Sequence, residues 1–122
     1  VVIDLEHLES DQLPLELAVS AITMAELAAG PHATDDAHER ARRQDRLQRA
    51  EAAFDPLPFD GEAARAYGRI YAAELAMGRK ARGTRALDLL IAATACAAKL
   101  PIYTRNPEDF QSLEGLVDVV AV

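Results

Sequence analysis

At 122 residues, half of them hydrophobic, the chain has material for one core and no room for a second domain. A net charge of −7 argues against a protein that coats nucleic acid by bulk electrostatics. It leaves open an enzyme that reaches nucleic acid through cations held by carboxylates.

Only 5% of the residues are aromatic and none is Trp, so alanine supplies much of the apolar count and favours helices. Val1 to Leu8 is apolar, then acidic, and reads as an element whose beginning is cut off; no Met opens it. Asp11 to Pro14 is a turn, and Leu15 to Ile22 holds a short apolar run suited to a buried strand. Ser20 or Thr23 caps a helix through Met24, Glu26 and Leu27 that stops near Gly30-Pro31. A charged helix follows from about Thr34 to Ala53, with Leu47, Ala50 and Phe54 as a thin apolar stripe. Asp55 to Phe59 is a break with room for a short edge strand.

Asp60 begins the next helix, with Tyr67, Ile70, Tyr71 and Leu75 as its expected core face, up to Gly78. A basic loop carries Arg79, Lys80, Arg82 and Arg85. Ala86 to Ala98 is a helix apolar on nearly every side, which marks it as central. Pro101 to Thr104 is a strand, Asn106-Pro107 a turn, and Leu116 to Val122 a closing strand. Helices alternating with short apolar strands imply a single α/β domain, a three-layer α/β/α sandwich around a mostly parallel central sheet. Nothing approaches the ~18 apolar residues of a membrane span, and Asp4 spoils any secretory leader. The lone Cys96 excludes an internal disulfide and suggests a reducing, cytoplasmic setting.

Two acids stand out because they are single charges in apolar runs. Asp88 lies in Ala86-Leu-Asp-Leu-Leu-Ile-Ala-Ala-Thr-Ala-Cys-Ala-Ala98, and Glu26 in Ala18 to Ala29. Burying an unpaired carboxylate costs several kcal/mol, about enough to demand a cation or donors. The plainer alternative for Asp88 is a half-wet place in the first turn of its helix, favoured by the dipole. Two such acids on separate elements are best reconciled by convergence on one hard divalent ion, Mg²⁺ or Mn²⁺. Tyr103 to Phe110 is a strand end rich in polar groups, where open α/β sheets bind ligands. Asp109 is a third carboxylate there, and Thr104 and Asn106 offer neutral oxygens; turn building alone would also account for Asn106 and Asp109.

The order Ile22-Thr-Met-Ala-Glu-Leu27, then Leu87-Asp-Leu-Leu-Ile-Ala-Ala-Thr-Ala95, then Thr104-Arg-Asn-Pro-Glu-Asp-Phe110 resembles the PIN-domain family, VapC-type toxins in particular, over nearly the whole chain. The resemblance implies a Mg²⁺-dependent (or Mn²⁺-dependent) endoribonuclease that cleaves single-stranded or loop RNA. It makes Glu26, Asp88 and Asp109 metal-site acids, with Asn106 and Thr104 as auxiliary polar residues of the same pocket. It further implies a homodimer and a small antitoxin protein that inserts a segment into the site. The family's first acid ends the first strand and is followed by Thr or Ser, whereas Asp4 is followed by Leu5 and Glu6. Asp4 is therefore not assigned, and the first catalytic Asp is expected just upstream of Val1.

The rival class is a PIN-like module that binds a partner protein without catalysis; a phosphatase of small esters is a third, disfavoured by the lack of a nucleophilic Asp motif. His7, His32 and His38 lack zinc spacing and belong to the surface. Cys96 reads as a buried small hydrophobe. Arg40, Arg42, Arg43, Arg46 and Arg49 share a helix with acids and read as a solvated face, or, with the loop from Arg79, as a groove for an RNA backbone.

Overall fold

Capping side chains start three of the four α-helices among the described residues. Ser20 accepts from the Thr23 backbone N–H and opens α1, Ala21–Ala29. Asp36 and Asp60 do the same for α2, Ala37–Ala53, and α3, Gly61–Ala76, by accepting from His38 N and Ala63 N. The fourth, α4, Thr84–Ala98, follows Gly83, whose φ of 59° suits a residue without a Cβ. The computed structural model describes residues 1, 18–79 and 83–122. The expected element at Val2 to Leu8, Asp4 with it, the turn at Asp11 to Pro14 and the start of the Leu15 run lie outside the described residues.

The rest of that run is not a strand through Ile22. Only Ser20 forms a bridge, parallel to Leu57, through Leu57 N to Val19 O and Ala21 N to Leu57 O, both 2.8 Å. The Ser20 cap turns the chain into α1 at once, and Ala21 and Ile22 are helical. Leu57 supplies the short edge expected between Asp55 and Phe59.

At the other end, β1, Ile102–Thr104, pairs in parallel with β2, Val119–Ala121, in the register Ile102 to Val119 and Thr104 to Ala121. Val1 flanks β1 on its other side: its carbonyl accepts from Tyr103 N and its amino group donates to Pro101 O, both at 2.8 Å. The connection from β1 to β2 is not a plain turn, because residues Pro107–Leu113 wind into a 3-10 helix that starts after Asn106. Every described strand pairing is parallel, which agrees with an α/β fold. No helix among the described residues is long and apolar enough to cross a membrane.

The core lies where α3 and α4 pack together over β1. Leu89, Ile91, Ala92, Ala93 and Ala95 of α4 are buried with Ile70, Ile102, Phe110 and Leu113, so the central place expected for this helix is correct. The expected face of α3 is correct for Ile70, which is buried, and for Tyr67, which packs against the core, but not for Tyr71 and Leu75. Tyr71 and Leu75 are 42% and 52% exposed, and the buried row is Ala63, Ala66, Ile70 and Glu74. Close approach of two alanine-rich helices selects the row with the smallest side chains, at i, i+3, i+7 and i+11. That row ends on an acid.

The α2 arginines do more than face water. Arg42 and Arg43 pair with Glu39, and Arg49 pairs with Asp45. Arg40 and Arg43 also donate to the carbonyls of Pro31, Thr34 and Gly30, tying α2 to the 3-10 turn that ends α1.

Candidate functional site

The chain reverses between α4 and β1, so the N-terminal half of α4 stands at the C-terminal end of β1. The reversal is built by Lys99 in the left-handed region (φ 59°), with Leu100 N donating to Ala95 O and Lys99 N to Cys96 O. Residues following β1 therefore meet the first turns of α4, at the edge where parallel sheets bind ligands.

Arg85 occupies that meeting point. Its guanidinium grips Glu74 with two prongs, Nε to Oε2 and Nη2 to Oε1, the latter at 2.7 Å. Ser112 donates to Glu74 Oε1 at 2.5 Å, and the guanidinium carbon lies 5.7 Å from the centre of the Phe110 ring. The Arg85 hydrogen bonds hold the buried Glu74 carboxyl below the usual carboxylate range, assisted by Ser112, and they outweigh the desolvation that pushes it up. Arg85 is in turn held above its ordinary value by its bond to Glu74 first, then by the charges of Glu74, Asp88 and Asp109. Arg79 closes the group by donating to the Asp109 backbone carbonyl at 3.2 Å.

The charges of Asp88, on α4, and of Asp109, on the 3-10 segment, thus both act on the Arg85 guanidinium. Asp88 is half-buried, one turn after Arg85 on the same face of α4. The helix begins at Thr84, two residues earlier than its apolar run suggests, so Asp88 sits beyond the first turn that the plainer reading gave it. Asp109 is exposed, in the first turn of the 3-10 segment. Thr104 is buried at the end of β1, and its Oγ accepts from Asn106 N at 3.1 Å, which fixes the corner; Asn106 itself is exposed. Glu26 lies on the exposed side of α1, a helix that packs on α4.

The burial assumed for the two lone acids is therefore wrong in degree. Glu26 is exposed and Asp88 only half-buried, because α1 is a peripheral helix and Asp88 stands near the open end of α4. Among the described residues the fully buried acid is Glu74, which sequence reasoning missed together with Arg85 and Ser112. The available signal was an acid on the alanine row of α3 and a lone Arg just before the apolar helix. Among the described residues no group of three His, Cys, Asp or Glu could by itself hold a metal ion. The donor chemistry of Asp88, Asp109 and Glu26 suits a hard cation nonetheless, since all offer carboxylate oxygens accessible to water. No thiol or imidazole stands among these candidate donors to favour a softer metal.

The sequence pattern of the PIN domain matches residues 4–116, which include Glu26, Asp88, Asn106 and Asp109. The chain belongs to the PIN-domain family. Among curated members it is 33% identical over 113 residues to Ribonuclease VapC5 of Mycobacterium tuberculosis, covering 93% of this chain and 80% of that one. The crystal structure of VapBC-5 from the same organism, a member of the VapBC family of toxin–antitoxin systems, matches with a TM-score of 0.82 at 33% identity. That match covers 95% of this chain and 90% of the other. FitAcB from Neisseria gonorrhoeae matches with a TM-score of 0.71 at 31% identity, over 89% and 78% of the two chains. This PIN chain is thus similar to VapC-type proteins in sequence and in fold, as its three segments around Glu26, Asp88 and Asp109 led one to expect.

Proposed function

We propose that this PIN-domain chain is an endoribonuclease toxin that hydrolyses RNA phosphodiester bonds with a divalent metal, Mg²⁺ or Mn²⁺, at Asp88, Asp109 and Glu26. What supports the reading is that Asp88 and Asp109, from separate elements, both act by their charge on Arg85, whose guanidinium carbon lies 5.7 Å from the centre of the Phe110 ring. Likeness to Ribonuclease VapC5 supports the reaction class.

The three carboxylates would hold the ion, which supplies Lewis-acid stabilisation of phosphate charge and a hydroxide nucleophile at neutral pH. Asp88, half-buried and on a rigid helix, orients an attacking water by accepting its proton-bearing side. Asn106, exposed at the corner that Thr104 fixes, offers an amide to a non-bridging phosphate oxygen. Arg79, tied to the Asp109 carbonyl, keeps the 3-10 segment in place while adding positive charge near a polyanion.

The partners that fit are a homodimer mate and a small antitoxin carrying a basic segment. The likeness to VapBC-5, a member of a family of toxin–antitoxin systems, supports the toxin–antitoxin context, and an Arg docking on Asp88 and Asp109 as a charge-assisted pair would inhibit by displacing the metal. A second reading, a partner-binding PIN module without catalysis, is kept open by Asp4, which is followed by Leu5 and Glu6 instead of the hydroxyl residue that follows the family's first acid.

RNA cleavage by wild type and Asp88→Asn, with and without Mg²⁺, separates the two. Metal-dependent cleavage lost in the variant supports the nuclease; no cleavage, with no rise in melting temperature on adding Mg²⁺ or Mn²⁺, supports the module.

A further inference from the structure

Seven residues is long for a 3-10 helix, whose hydrogen bonds are poorly aligned, so Pro107–Leu113 depends on what it packs against. With about three residues per turn its side chains stack in rows, and burial sorts those rows. Phe110 and Leu113 form the buried row, Glu108 and Gln111 the exposed one. The third row is polar, with Asp109 exposed and Ser112 buried. Both members of it meet Arg85, Asp109 through its charge and Ser112 as an acceptor 3.5 Å from Nη2. Ser112 also donates to Glu74 Oε1 at 2.5 Å, from the last turn of α3. That turn is itself closed, because Gly78, at φ 75°, lets its own N–H donate to Leu75 O and Arg79 N donate to Glu74 O.

We infer that Ser112 is a positioning residue for Asp109: its bond to Glu74 sets the roll of the 3-10 segment about its own axis, and with it the direction in which Asp109 presents its carboxylate. This rests on the proposed reading of Asp109 as a metal ligand. Phe110 and Leu113 hold the segment against the core, but apolar contact is non-directional, whereas a hydroxyl donating to a carboxylate is strong and directional. The acceptor is fixed in turn, since both Arg85 bonds hold the Glu74 carboxylate and the Glu74 carbonyl closes the α3 turn. Asp109 lies on the same row one turn before Ser112, so a roll at Ser112 carries Asp109 with it. Arg79 holds only the Asp109 carbonyl, close to the segment axis, where a roll displaces an atom less than at a side-chain tip. Ser112→Ala changes no charge, so it has no direct electrostatic effect on a cation. A role confined to packing lowers stability and leaves the affinity of the folded chain alone.

The probe is Mn²⁺ titrated into the intact metal-free chain by calorimetry and by the loss of free-ion paramagnetic resonance signal. Wild type, Ser112→Ala, Asp109→Ala and the double variant are compared, each checked by thermal melting before titration. Ser112→Ala should fold, because Glu74 keeps both bonds from Arg85. It should bind Mn²⁺ more weakly by roughly threefold to tenfold, less than is lost with a direct partner of a metal ligand. In the Asp109→Ala background the same change should alter affinity by less than about twofold, because no carboxylate is left there to aim. Equal affinity in wild type and Ser112→Ala would overturn the inference. So would an equal loss in both backgrounds, which would mean that Ser112 does not act through Asp109. A Ser112→Ala chain that fails to fold overturns it as well, by making Ser112 a residue of the core and not of the site. If Asp109→Ala binds Mn²⁺ as wild type does, or wild type binds none, the reading of Asp109 as a metal ligand falls and takes the inference with it.

Discussion

Arg85 meets Glu74 across the α3–α4 contact with both prongs of its guanidinium, and Glu74 has no exposure to solvent at all. A buried pair of this kind contributes little net stability compared with apolar residues of the same volume, but losing one member strands the other. Glu74→Ala should therefore lower unfolding stability by about 3–5 kcal/mol, read by urea denaturation at neutral pH. An effect under about 1 kcal/mol would mean that Arg85 finds another acceptor, with Asp88 and Asp109 the other acids whose charges act on it.

The same pair predicts acid sensitivity with a definite sign. The folded Glu74 carboxyl is depressed below its ordinary value of 4.5, chiefly by the hydrogen bonds from Arg85. A depressed acid contributes stability that is complete above its unfolded pKa and is lost as pH falls through the folded one. The stability difference between wild type and Glu74→Gln should be constant above about pH 5 and shrink progressively below 4.5. Urea titrations from pH 6 downward test this, and a difference that does not change with pH would refute it.

Much of this fold is legible in the sequence, and what is not has a common cause. Capping residues and apolar spacing are local signals, so α2, the α4 core run and the β1 and β2 positions stand close to where the sequence puts them. Residues that face a neighbouring helix are chosen by that neighbour. Tyr71 and Leu75 look more suited to a core than Ala63 and Ala66, yet α4 is itself alanine-rich and close packing prefers the small row. Once that row is inside, Glu74 is inside with it, and Arg85 and Ser112, from other elements, make this tolerable. The candidate site divides in the same way. Motif order brought out Glu26, Asp88, Asn106 and Asp109, whereas the Glu74–Arg85–Ser112 network needs a tertiary contact to become visible.

Lys99 combines a left-handed backbone with an exposed side chain. Its φ of 59° closes α4 with the paired bonds from Leu100 N to Ala95 O and Lys99 N to Cys96 O. An L-residue in that region costs roughly 1–2 kcal/mol, and glycine avoids this while losing more chain entropy on folding. Lys99→Gly should thus raise stability by about 0.5–1 kcal/mol, with Mn²⁺ binding unchanged, since Lys99 lies at the far end of α4 from Asp88. Destabilisation on this change would show that the Lys99 side chain makes a contact worth more than the strain.

Asp88 separates stability from metal binding most cleanly. Were the acids simply crowded together, removing Asp88 would relieve repulsion and stabilise the metal-free chain. Arg85 lies one turn away and is favoured by the Asp88 charge, so the removal loses an attraction as well. The two effects oppose, and a half-buried group is partly screened by water. Asp88→Ala should therefore change the stability of the metal-free chain by less than about 1 kcal/mol in either direction. In the presence of Mg²⁺ or Mn²⁺ the variants must diverge: wild type gains melting temperature through binding to the folded state, and Asp88→Ala gains little or none. Thermal melts over a metal titration, run in parallel on both proteins, measure this difference directly. Equal metal-induced shifts would remove Asp88 from the metal site. A variant that unfolds without metal would give Asp88 a structural role, tied to Arg85 rather than to a cation.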